Sequence, residues 1–184
     1  DERPNIAHTP IPLWNLINTS HYVSMSIQYS RGCPYDCEFC DIIVMNGRIP
    51  RTKDAEQLLR EFEAVYQTGF RGSLFIVDDN FIGNKVRLKQ ILPKIIQWQK
   101  KHKYPFWNLT EASLDLADDE ELMQMMAEAG FDRVFIGLET PNEESLAECN
   151  KFRNKNRDVA TLVKNIQNHG LQVMGGYIVG FDND

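Results

Sequence analysis

No stretch of this chain approaches the ~20 consecutive apolar residues that a membrane helix requires, so no spanning segment is expected. A basic-then-apolar leader is also absent. The chain opens on Asp1-Glu2-Arg3-Pro4 with no initiator Met, and it reads as an internal piece of a longer protein with a cytoplasmic location. No fixed-period repeat or low-complexity tract occurs, which sets aside solenoids and disordered tails. A basic excess is missing too. Twenty Lys and Arg stand against 26 Asp and Glu, a formal charge of −6, so bulk nucleic-acid binding is not expected. Cysteine is scarce and uneven, with Cys33, Cys37 and Cys40 crowded together and Cys149 far away. A disulfide framework spreads its cysteines to staple distant loops, and a zinc site usually adds a second Cys pair or histidines. Here there is no second pair, and His8, His21, His102 and His169 are scattered.

What is present is ordinary globular material: 184 residues, 42% hydrophobic and 25% charged. Residues 1–20, broken by Pro4, Pro10 and Pro12, read as a linker from an upstream domain, leaving 21–184 as the core. From there short apolar strands alternate with amphipathic helices. Strands are expected at 22–29, 73–78, 106–110, 133–138 and 171–179. Helices are expected at 52–67, after Asn84, after an Asp118/Glu121 capping box, at 143–148 and from Asp158. Pro93 predicts a kink or a late start in the second of these. Such alternation implies βα units and a parallel sheet, closed either as a flat doubly wound sheet or as a full or partial barrel.

In either closure chemistry gathers at the carboxyl ends of the strands. The first strand leads into the Cys33–Cys37–Cys40 loop, whose C-x3-C-x2-C spacing suits one metal centre, an iron–sulfur cluster above all. The second ends in Asp78-Asp79-Asn80. The third is followed by Glu111 and Ser113, the fourth by Glu139, and the fifth carries Gly176-Tyr177-Ile178-Val179-Gly180. Arg48 and Arg51 read first as partners of local carboxylates, and second as guides for a substrate anion. Cys149 reads as an uninvolved thiol.

The cysteine loop, with Phe39 just before its last cysteine, resembles that of the radical S-adenosylmethionine (SAM) superfamily. The resemblance implies an α/β partial (βα) barrel, here truncated after the fifth strand. It implies a [4Fe–4S] cluster on Cys33, Cys37 and Cys40, with SAM chelating the fourth iron and being cleaved to methionine and a 5′-deoxyadenosyl radical. Phe39, Asp78, Asp79, Asn80, Glu111, Ser113 and Glu139 then become SAM contacts, and Gly176, Ile178 and Gly180 a backbone surface for adenine. Asn183 stands where the family often has Glu. The stretches SRGCPYDCEFCDI, VDDNFIGNK and VFIGLETPNEESL are similar to the subgroup that carries an N-terminal cobalamin-binding domain, which contains the hopanoid C-2 methylases. That likeness implies C-methylation, or a related rearrangement, of a small or lipid-like substrate, with cobalamin in the full-length protein and an electron donor such as flavodoxin or ferredoxin. This fragment is expected to bind the cluster without useful turnover. Two alternatives remain: a radical SAM methylthiotransferase acting on RNA, and a metal-stabilised domain that binds a partner without catalysis.

Overall fold

The computed structural model describes residues 3–184. Its strands and helices run β1 Ser24–Ile27, β2 Ser30–Arg31, α1 Ile42–Met45, β3 Arg51–Thr52, α2 Ala55–Gln67, β4 Gly72–Ile76 and α3 Lys85–Lys101. After these come β5 Phe106–Ala112, α4 Glu120–Glu128, β6 Phe131–Glu139, α5 Glu143–Glu148, α6 Val159–Asn168 and β7 Gln172–Tyr177. Five strands form one parallel sheet in the order β1-β4-β5-β6-β7, and β2 pairs antiparallel with β3. Parallel neighbours need a crossover each, so α2, α3, α4 and α6 return the chain and all five strand ends face one rim. Among the described residues, no helix is long and apolar enough to cross a membrane.

The helices lie where the apolar period places them. On α2, Leu58, Phe62 and Val65 are fully buried; on α3, so are Leu88 and Leu92. They close on Leu74 and Ile76 of β4 and on an aromatic group in which the Phe62 ring lies 5.3 Å from Trp98 and 6.0 Å from Phe106. Each such side chain contributes about 1.5–3 kcal/mol on burial. Side-chain caps fix the starts: Asp54 for α2, Asn84 for α3, Asn142 for α5 and Asp158 for α6.

Several boundaries differ from the sequence-based expectation. Helix α4 is capped by Asp119, whose Oδ1 accepts from the Leu122 N–H, and not by Asp118. A 3₁₀ turn over Leu114–Asp118 uses the earlier residue, which pairs instead with Arg157. Helix α3 starts at Lys85 and runs unbroken through Pro93, so the late start does not occur. Pro93 sits on the exposed side, where water can serve the carbonyl it leaves without a partner. The first strand is shorter than expected, and α1 and the β2–β3 pair, two to four residues each, have no periodicity to reveal them.

The segment before β1 is wound into three 3₁₀ turns laid along α2. Ile6 is buried, and the Gln57 side-chain amide donates to its carbonyl at 3.1 Å.

Gly130 shows how tightly helix ends meet the sheet. It follows α4 at φ +84°, and a Cβ there would stand 2.6 Å from Nε2 of Gln99, a fully buried amide bonded to the Phe106 and Ala129 carbonyls. Gly130→Ala combines left-handed strain with loss of those bonds, so urea denaturation should show a destabilisation of roughly 2–4 kcal/mol. A change below about 0.5 kcal/mol would contradict this packing.

Candidate functional site

At the rim, a cavity of about 160 Å³ is walled by Cys33, Cys37, Phe39, Cys40, Asp79, Asn80, Glu111, Ala112, Ser113, Phe135, Gly137, Glu139, Lys151 and Arg153. The three thiols therefore share one wall with the polar endings of β4, β5 and β6. Cys33, Cys37 and Cys40 are all half-exposed and outside any disulfide. Among the described residues, no three His, Cys, Asp or Glu side chains are disposed to hold a single metal ion. A multi-iron cluster places a separate iron at each thiolate, so it does not need its ligands drawn together around one ion. Burial pushes the Cys33 thiol up, while a backbone bond at Tyr35 and the Asn80 amide pull the other way. The thiol must release that proton when a metal binds.

Each wall residue owes its place to a local device. Glu139 has φ +66°, rare for a residue with a side chain, and the β6–β7 register slips between Gly137 and Glu139. This irregularity at the strand end presents the carboxylate to Lys151, with which it forms a buried ion pair. The Lys151 ammonium also lies 5.8 Å from the centroid of the Phe39 ring. Arg153 stacks over Tyr35, and its Nη2 approaches Cys37 Sγ at 4.0 Å. Asn80 donates to Ser113 Oγ at 3.1 Å and faces Cys33 Sγ at 3.9 Å. Its buried Oδ1 has no hydrogen-bond donor among the described residues. Glu111 is raised above the usual carboxylate range by burial and then by the Asp79 charge.

Of the residues singled out from sequence, Asp78 lies off this wall. It is buried, and its two oxygens accept from the Tyr29 N–H at 2.7 Å, the Ser30 N–H at 2.8 Å and the Ser30 hydroxyl at 2.6 Å. With its acceptors committed to the protein, it is not presented to a ligand. Gly176 is also off the wall. A Cβ there would meet the Phe135 ring at 2.6 Å, so this glycine makes room for a ring that does line the cavity. Ile178 borders an adjoining cleft of about 490 Å³ that shares Glu139, and its N–H donates to the Glu139 carbonyl. Gly180, at φ +104°, lies outside both.

Arg48 reaches Asp36 at 3.6 Å and donates to the Pro34 carbonyl, as a partner of a local carboxylate, whereas Arg51 donates to the Asn46 and Pro4 carbonyls and ties the loop to the N-terminal segment. The Cys149 thiol is buried against the Leu146 carbonyl, although its own carbonyl accepts from the Glu38 N–H. Sequence reasoning missed five wall residues, Ala112, Phe135, Gly137, Lys151 and Arg153, of which the last two carry charge. The Lys-x-Arg pair just after α5 was the available signal.

A parallel α/β sheet with a cysteine loop after its first strand and polar residues after the next three defines a class, the partial (βα) barrels built around a cofactor at the rim. The sequence profile of the radical SAM superfamily matches residues 27–184, and the chain belongs to that superfamily. It is 54% identical over its whole length to an uncharacterised methyltransferase of Synechocystis sp., covering 34% of that protein. It is 40% identical over its whole length to the hopanoid C-2 methylase of Rhodopseudomonas palustris, covering 35%. The chain thus spans about a third of the length of these curated relatives. Its fold superposes on the cobalamin-dependent SAM radical enzyme OxsB with a TM-score of 0.78 at 22% identity, covering 99% of this chain and 28% of that one.

Asp78 yields a pH test. Burial raises its carboxyl to about 7, against the pull of the Ser30 hydroxyl and the Ser30 and Tyr29 amides. The folded chain therefore keeps this proton to higher pH than the unfolded chain does. The associated stability is full below about pH 4 and is lost as pH rises to about 7. Denaturation of wild type and Asp78→Asn at about pH 5 and pH 8 should show a larger advantage for wild type at the lower value. An equal difference at both would contradict the raised pKa.

Proposed function

We propose that this chain is the SAM- and cluster-binding core of a radical SAM methyltransferase of the cobalamin-dependent kind. The observation that carries the reading is one cavity wall shared by three free thiols and the polar ends of β4, β5 and β6. When bound, a [4Fe–4S] cluster on Cys33, Cys37 and Cys40 supplies the electron that cleaves SAM to methionine and a 5′-deoxyadenosyl radical for hydrogen abstraction.

The protein's own part is orientation and exclusion of water. The unpartnered Asn80 Oδ1 offers an acceptor to an ammonium group. Arg153, which makes no ion pair among the described residues, places positive charge beside Cys37, suited to a carboxylate and to the negative charge of thiolates, while Lys151 neutralises Glu139. Glu111 and Ser113 supply polar contacts on the β5 side, and the exposed rings of Phe39 and Phe135 give the wall apolar surface for a ligand to cover. Ile178, on the cleft that shares Glu139, offers an apolar surface for a flat ring. The likeness to a hopanoid methylase supports C-methylation of a small or lipid-like substrate, with cobalamin as methyl carrier in a longer protein. A cytoplasmic setting and an electron donor such as flavodoxin or ferredoxin complete the reading.

Anaerobic reconstitution with iron and sulfide tests it. Wild type should take up about four irons per chain, and Cys33→Ala, Cys37→Ala or Cys40→Ala should each fall below about one. Cys149→Ala should match wild type. Equal iron in all four variants, or stable zinc at the three cysteines with no iron uptake, would overturn the proposal.

A further inference from the structure

Both ends of the thiol loop meet at a single oxygen. Asp79 Oδ2 accepts from the Gly32 N–H at 2.7 Å, where the chain enters the loop, and from Asn46 Nδ2 at 3.0 Å, where it leaves. The loop base is closed beside this point by the Cys33 N–H donating to the Gly47 carbonyl at 3.2 Å and by the two-residue β2–β3 ladder. The closure is tight. Gly32 has φ +104°, and a Cβ on it would stand 2.9 Å from the Gly47 carbonyl oxygen and 3.0 Å from that of Ile49. Next along the same turn, Asp78 anchors Tyr29 and Ser30, while Asn80 faces Cys33.

We propose that Asp79 is a positioning residue, a latch that holds the thiol loop in its ligand-ready shape before any metal arrives. Its position in Asp78-Asp79-Asn80 invites a reading as a ligand contact, yet the bonds it makes run to backbone and amide groups of the loop. Charge-assisted bonds are the stronger kind, and two of them on one oxygen tie the loop ends without any bound group. Without the latch, a loop of this length must be ordered at the moment of binding, which weakens retention of whatever the thiols hold. The inference rests on the cluster reading only for the identity of that group, because the latch itself joins protein atoms.

The test uses the metal-free reduced chain, following hydrogen exchange across residues 32–47 and the iodoacetamide alkylation rates of Cys33, Cys37 and Cys40, resolved by mass spectrometry. Asp79→Ala should speed both by about tenfold or more, with Asn46→Ala showing a smaller rise in the same direction. The double variant should be no faster than Asp79→Ala alone, because both substitutions open one latch. Asp79→Asn, which keeps an acceptor oxygen without the charge, should fall between wild type and Asp79→Ala. If Asp79→Ala fails to fold by circular dichroism, Asn46→Ala decides, since it removes one bond from the outer end of the loop. Exchange and alkylation within about twofold of wild type in the folded variants would overturn the latch. Iron uptake by wild type, measured alongside, separates failure of the cluster reading from failure of the latch.

Discussion

The parallel arrangement of the sheet is the constraint on which everything else depends. Once β1, β4, β5, β6 and β7 run the same way, every connection must cross back over a face, and every carboxyl end opens on one rim. A loop carrying three thiols therefore meets polar residues that lie far later in the chain, with Glu139 106 positions and Arg153 120 positions after Cys33. The core beneath, with Phe62, Leu74, Leu88 and Phe106 buried, serves to hold those ends in register.

The rim balances opposite charges within a small, half-open volume. Glu139 is neutralised by Lys151, Arg153 lies against Tyr35 and near Cys37, and Glu111 and Asp79 stand close enough for one to raise the other. Burial strengthens the Glu139–Lys151 pair most and would penalise either charge left without its partner. The wall thus offers the Asn80 acceptor to a cation and the Arg153 guanidinium to an anion within one cavity, as a zwitterionic ligand beside a thiolate-bound cluster requires. Strain is stored in the same place, at Glu139 with its positive φ and at the slip in β6.

Much of this was legible in the sequence, for physical reasons that can be named. Helices α3 and α6 showed themselves through apolar period and through their caps, Asn84 and Asp158. The thiol spacing and the chemical type of each strand ending could also be read directly, and the structure gathers Asp79, Asn80, Glu111, Ser113 and Glu139 on one wall with the cysteines. What escaped was direction. Asp78 and Asp79 are neighbours of identical chemistry, but one turns inward to Tyr29 and Ser30 and the other toward the loop ends. No pattern in a short turn reveals that. Lys151 and Arg153 escaped because their place is set by a six-residue helix and a turn, neither of which has a period.

The most direct measurement is electron paramagnetic resonance of the reconstituted, reduced chain with and without SAM. Three protein thiolates on a four-iron cluster leave one iron for an outside ligand at the cavity wall, so adding SAM should shift the signal. A cluster signal that is identical with and without SAM would contradict an open iron facing this cavity.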